Sequence, residues 1–210
     1  MHSTFTPENF HSLCNQLAKK DKDLRSVIRE FGYPPLWTRT ASFQTLVHII
    51  LEQQVSLASA SAALKKLKGK IGIITPAKLL TLSDEELKAC YFSRQKIEYA
   101  KCLAGAIVSK QLSLRKLTTL NDADARQHLK AIKGIGNWTV DVYLLFAFRR
   151  ADVFPLGDLA MVNALKELKR LPRETSTEML LTLSLAWKPY RSIATMILWH
   201  YYIKKRRIKI

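Results

Sequence analysis

The stretch that most restricts the fold runs from Leu129 to Ala160, LKAIKGIGNWTVDVYLLFAFRRADVFPLGDLA. Two apolar helical patterns, 121–131 and 138–148, are joined by Lys133-Gly134-Ile135-Gly136-Asn137. Two glycines around one apolar residue permit a tight turn whose backbone can approach another molecule closely. The second helix starts directly after the turn. Its unpaired N–H groups and positive dipole end point outward, where a phosphate oxygen would fit. No strand pattern precedes the turn, which argues against a dinucleotide-binding unit. A plain connection between two helices would need the same turn, so both readings stand at this point.

The rest of the chain is also helical in pattern. Only 7 Gly and 7 Pro punctuate 210 residues, and no segment alternates as a strand with hairpin signals. Residues 7–31 read as one helix closed by Gly32-Tyr33-Pro34-Pro35, and 43–68 as a second, interrupted by Glu52-Gln53-Gln54. Thr75-Pro76 opens a further helix. Ser83 with Glu86, and Thr175 with Glu178, have the spacing of capping boxes. Segments 93–109, 158–169 and 189–205 complete a set of roughly ten helices and an all-α fold.

Lys+Arg is 34 against 17 Asp+Glu, a net charge of +17. Such an excess favours a polyanionic partner, nucleic acid first and an acidic membrane surface second. No apolar run is long enough to span a bilayer, and MHSTFTPENFHSL lacks the layout of a signal peptide. The expected location is intracellular: cytoplasm or nucleoid, or the nucleus in a eukaryote. Cys14, Cys90 and Cys102 form no closely spaced set, so they read as reduced thiols. Three thiolates cannot supply a four-cysteine iron–sulfur cluster. His48, His128 and His200 share no zinc-binding spacing.

Four motifs in order carry a resemblance. LKAIKGIGNWTVDVYLLF resembles the hairpin, and ADVFPLGDLAM the Gly/Pro-rich loop and aspartate, of the helix-hairpin-helix (HhH-GPD) DNA glycosylase superfamily. LEQQVSLASA resembles its Gln-containing helix. WKPYRSIATMILWHYY is similar to the C-terminal signature of the 3-methyladenine DNA glycosylase II (AlkA) type. The resemblance implies two lobes, 43–145 (hairpin about 121–148) and 1–42 with 146–210, around a cleft holding Asp158. AlkA-type enzymes can carry an N-terminal β domain; the roughly forty residues before the core here are too few and too helical for one.

The resemblance implies a monofunctional glycosylase of base excision repair. It would flip alkylated purines, chiefly 3-methyladenine, out of double-stranded DNA and hydrolyse the N-glycosidic bond. A monomer needing no cofactor is expected.

By the same resemblance Asp158 is catalytic; its place before a helix also suits a plain N-cap. Both roles are compatible, because a helix N-terminus stabilises negative charge. Trp138 stands where bifunctional relatives carry a Schiff-base lysine, which implies no AP-lyase chemistry. It could line the base pocket or pack in the core. Trp199 could stack on an extruded cationic base or belong to an aromatic core with Tyr201 and Tyr202. Trp37 and Tyr33 could complete the pocket or pack.

Gln54, or Gln53, would be the wedge entering the gap left by the flipped nucleotide; satisfying a helix end is the alternative. Gly134, Ile135, Gly136 and the Thr139 hydroxyl would hold a phosphate. Carbonyls of Lys130, Ile132 and Ile135 would hold a structural Na+ or K+. Arg191 and the tail Lys204-Lys205-Arg206-Arg207-Ile208-Lys209 read as solvated helix ends or phosphate contacts. Three rivals remain: a binding module for damaged or bent DNA without chemistry, a bifunctional or oxidised-base glycosylase, and, a distant third, a membrane-surface protein.

Overall fold

The computed structural model describes residues 4–208. Among these every regular element is helical; the only β pairing is an isolated bridge between Thr4 and Arg150. The chain divides into two compact units, one of residues 4–38 with 144–208, the other Arg39–Tyr143.

The first unit contains α1 (Pro7–Lys20), α2 (Lys22–Phe31), α11 (Leu159–Leu168), α12 (Thr177–Ser184) with a 3-10 turn Leu185–Trp187, and α13 (Arg191–Lys205). Helix α13 is its centre, with Ile193, Ala194, Met196, Ile197 and Leu198 fully buried. It packs on α11, α2 and α1. Burial of each large aliphatic side chain contributes roughly 1.5–3 kcal/mol.

The pattern over 7–31 is two helices, not one. Asp21 breaks it by accepting from the N–H groups of Asp23 (2.9 Å) and Leu24 (3.2 Å), thereby capping α2. Its carboxylate also receives the Lys169 ammonium at 2.7 Å and the Trp187 indole N–H at 2.8 Å. Burial alone would raise the Asp21 pKa, but these donors and Leu24 bring it below the usual value.

The second unit contains α3 (Phe43–Glu52), α4 (Leu57–Ile71), α5 (Pro76–Leu80), α6 (Asp84–Ala89), α7 (Arg94–Val108), α8 (Leu114–Thr119) and α9 (Asp122–Lys130). The boundary between the units falls inside α10 (Asn137–Phe146). Helix α3 is buried nearly all round, with Leu46, Val47, Ile49, Ile50 and Leu51 at its core, and packs on α4 and α7.

The interruption read at Glu52-Gln53-Gln54 is a full break: the 43–68 pattern is two helices, α3 and α4. Gln53 to Ser56 leave helical geometry, and Ser56 caps α4 through the Ser59 N–H. The short helix α8 was not expected from the sequence. The box at Ser83 forms as expected, with Glu86 closing it. The box at Thr175 does not: Ser176 is the cap of α12, accepting from the Met179 N–H. No helix among the described residues is long and apolar enough to cross a membrane. The three cysteines are free thiols; burial pushes the Cys14 thiol up to about 12.

Candidate active site

In the first unit the segment before α11 is pinned by the start of α13. The Ser192 hydroxyl donates to the Arg150 carbonyl (2.6 Å) and accepts from the Val153 N–H (2.8 Å). Arg191 grips both carboxylate oxygens of Asp152 at 2.7 and 2.9 Å. Arg191 is therefore a clamp on this loop rather than a solvated helix end. The loop then closes on itself through the Asp158 N–H, which donates to the Pro155 carbonyl at 2.9 Å.

Asp158 is half-buried and is the N-cap of α11. Its Oδ1 accepts from the Met161 N–H at 2.8 Å and from the Trp199 indole Nε1–H at 2.9 Å. Two donors from different helices fix the plane of the carboxyl group. Trp199 is 9% exposed and stacks on Phe146, ring centroids 5.4 Å apart. Core and site are thus not alternatives for Trp199: the ring belongs to the core and its N–H touches the candidate catalytic oxygen. Phe146, Ser192 and the Arg191–Asp152 pair were not singled out as partners of this loop by sequence reasoning.

Tyr33 and Trp37 lie in the same unit. The Tyr33 ring stacks on His11 at 4.2 Å and its hydroxyl donates to Asn15 at 2.8 Å. That engagement occupies one face of the Tyr33 ring and its hydroxyl, while the residue stays exposed. Trp37 is half-buried. Lys205 and Arg206 of the tail sit by Glu167, Arg206 at 2.9 Å. Lys209 lies outside the described residues.

In the second unit the hairpin has a steric requirement. Gly134 has φ 88°, and a Cβ there would lie 2.0 Å from Cγ of Tyr99. Only glycine satisfies both the backbone angle and the ring. The Gln53 side-chain amide donates to the Gly134 carbonyl and to the Thr139 hydroxyl oxygen, both at 2.9 Å.

This corrects two expectations. Gln53 is a brace of the hairpin, because its amide is spent inside the unit. Thr139 is 1% exposed, so its hydroxyl is not presented to a phosphate. The neighbouring Gln54 is exposed at φ 57°. The Ile135 amide donates to the Ile132 carbonyl at 3.1 Å, which removes Ile135 as an N–H donor to phosphate. Gly136 and Asn137 remain exposed where α10 begins, and the Gly136 carbonyl takes its first helical bond, from the Val140 N–H at 3.1 Å.

Trp138 is half-buried in the first turn of α10. Arg126 of α9 meets Asp141 of α10 at 2.6 Å, and Lys133 pairs with Glu98. The donors near Lys130, Ile132 and Ile135 are neutral carbonyl oxygens, a chemistry that fits a hard cation of low charge. The Ile132 oxygen already carries one hydrogen bond.

A glycine hairpin opening one helix and, some twenty residues on, an aspartate capping another define a helix-hairpin-helix protein with a loop-borne carboxylate. The family model of the HhH-GPD superfamily base excision DNA repair proteins matches residues 47–189, and this chain belongs to that family.

It is 30% identical over 161 residues to the DNA-3-methyladenine glycosylase 1 of Schizosaccharomyces pombe, covering 75% of this chain and 71% of that protein. Bacillus subtilis YfjP is 29% identical over 184 residues; these cover 84% of this chain but 64% of YfjP. The solved structure of the S. pombe 3-methyladenine DNA glycosylase Mag1 in complex with abasic DNA is similar at a TM-score of 0.84 and 26% identity. That match covers 93% of this chain and 97% of the other.

Proposed function

We propose that this protein is a monofunctional DNA glycosylase that acts as a monomer on double-stranded DNA containing alkylated bases. It flips alkylated purines, chiefly 3-methyladenine, and hydrolyses the N-glycosidic bond to leave an abasic site. The observation that carries the reading is the Asp158 carboxyl group, oriented by the Met161 and Trp199 N–H groups on a clamped loop.

Breaking the glycosidic bond develops positive charge on the sugar, as in O-glycoside hydrolysis. A fixed carboxylate beside that sugar stabilises the charge and orients the attacking water. An N-alkylated purine is already cationic and leaves readily, so strong acid assistance is not needed. Trp199 offers an electron-rich face suited to such a base, with Trp37 at the rim. Trp138 lacks the amine that a Schiff base requires, so no strand cleavage follows base removal.

In the second unit, the Gly134–Gly136 turn and the exposed start of α10 grip the DNA backbone, with carbonyls near Lys130, Ile132 and Ile135 suited to hold Na+ or K+. Gln54 is the wedge. Extruding a base costs a few kcal/mol, offset by wedge, base stacking and backbone contacts.

The test is base release from duplexes carrying single lesions, 3-methyladenine among them. Asp158→Asn should cut release by about 10²-fold or more while DNA binding persists. Lesion binding by the wild-type protein without release would favour a binding module. Borohydride should trap no covalent adduct; a trapped adduct would point to a lyase.

A further inference from the structure

Tyr91 is an anomaly in the second unit. It follows α6 in a Schellman-type helix end: its N–H donates to the Lys88 carbonyl at 2.8 Å, and that of Phe92 to Leu87 at 3.2 Å. The residue in this place takes a left-handed conformation, and glycine is the usual occupant. Tyr91 adopts φ 67° with a full side chain, a strained backbone conformation.

Gln54, Lys110, Arg149, Arg170 and Arg207 also have positive φ, each within three residues of a helix C-terminus, and all but Gln54 are cations. There a cation is rewarded by the negative end of the helix dipole. Tyr91 has no charge to be rewarded and gains little from burial, because it is 60% exposed.

The ring instead walls a cavity of about 320 Å³ with Leu51, Val55, Ser59, Ala63 and Lys96. That size is at the small end of ligand clefts, about 300–1,000 Å³. The Lys66 ammonium lies 4.8 Å from the ring centroid, and the Lys96 ammonium donates to the Leu51 carbonyl at 2.6 Å within the same wall. Val55 is 44% exposed and directly follows Gln54. An exposed aromatic face, an apolar floor and two ammonium groups are what a single-strand nucleic-acid site uses: the base stacks on the ring and the phosphate meets the lysines.

We propose that the Tyr91 cavity is a stacking site for one unpaired nucleobase of DNA, with Lys66 and Lys96 taking the adjoining phosphates. The strained tyrosine is retained because its ring is the platform. The proposal rests on the reading that this protein handles DNA, but not on its catalysis.

The experiment is fluorescence anisotropy of the full chain with labelled octathymidylate, which contains no lesion and no duplex. Tyr91→Phe should bind within about twofold of wild type. Tyr91→Ala and Tyr91→Gly should each bind about tenfold more weakly, the loss expected for one base stack. Lys66→Ala should bind more weakly and lower the salt dependence by about one phosphate.

Tyr91→Gly relieves the backbone strain, so its Tm should equal or exceed that of wild type. Wild-type affinity in Tyr91→Ala and Tyr91→Gly would overturn the site. So would a lowered Tm in Tyr91→Gly, or an equal loss of affinity for intact duplex. If base release proceeds normally while octathymidylate binding ignores Tyr91, this inference alone falls. If the protein binds no DNA, the functional reading falls with it.

Discussion

Two helix starts in this molecule are built in opposite ways. Helix α11 begins at Asp158, whose own carboxylate satisfies the Met161 N–H. Helix α10 begins after Gly136, which has no side chain with which to cap anything. A helix N-terminus attracts negative charge in either case. At α11 the chain supplies that charge itself and holds it on a clamped loop, which in the proposed function makes the start a reagent. At α10 the chain supplies none and leaves Gly136 and Asn137 exposed, which in the proposed function makes the start a receptor for an external anion. On the proposed function, the same backbone physics gives a catalytic group at one start and a phosphate grip at the other, depending on whether the cap is internal.

The contrast can be broken from either side. Asp158→Ser keeps a good cap and removes the charge. Base release should fall by about 10²-fold or more, while Tm shifts by only a few degrees. A large loss of Tm with release intact would make Asp158 a cap and nothing else.

Gly134→Ala should destabilise the second unit by roughly 3 kcal/mol or more, through its φ and the Tyr99 ring, and thermal unfolding would show it. Gly136→Asp converts the second helix start into a copy of the first. It should hold or raise Tm yet weaken duplex binding about tenfold, by filling and repelling from the phosphate position. Unchanged binding there would remove α10 from the DNA contact.

The smallest effect concerns a third start, α2. Asp21 is also a carboxylate cap, but Lys169 and Trp187 occupy it. Its folded pKa lies below the ordinary 3.8, so the stability it contributes is present above that value and lost as pH falls through the folded one. Lys169→Met should flatten that acid limb of a Tm-against-pH curve by a degree or two, roughly what a fraction of a kcal/mol gives. It should leave base release untouched.

Local signals in the chain carried the local structure. Capping residues and sparse Gly and Pro fix the helical class, and Ser83 with Glu86 marks a start that forms as read. Where a polar residue sat inside a periodic pattern, periodicity hid the break. Asp21 read as part of one longer helix, but its side chain bonds the backbone N–H groups that start the next; the interruption at Glu52-Gln53-Gln54 was legible, the partners of Gln53 were not.

The six-residue α8 is too short for periodicity to detect. Long-range partners left no trace at all. Gln53 bonds residues more than eighty positions away, and Trp199 reaches Asp158 across forty-one. The resemblance of short motifs supplied candidate residues, but not which of two adjacent glutamines was already committed. Tyr91 drew no attention in the sequence because nothing there announces a left-handed backbone.

The Gln53 amide ties the end of α3 to the hairpin, and Gln54 is its immediate neighbour in the chain. On the proposed roles, the side chain that probes the stack and the turn that holds the strand are joined by one amide group. The distance between probe and grip is then a fixed length rather than an adjustable one. Such a pair works as a gauge: it samples DNA at a constant offset from the phosphate it holds, and the offset is calibrated by a single glutamine.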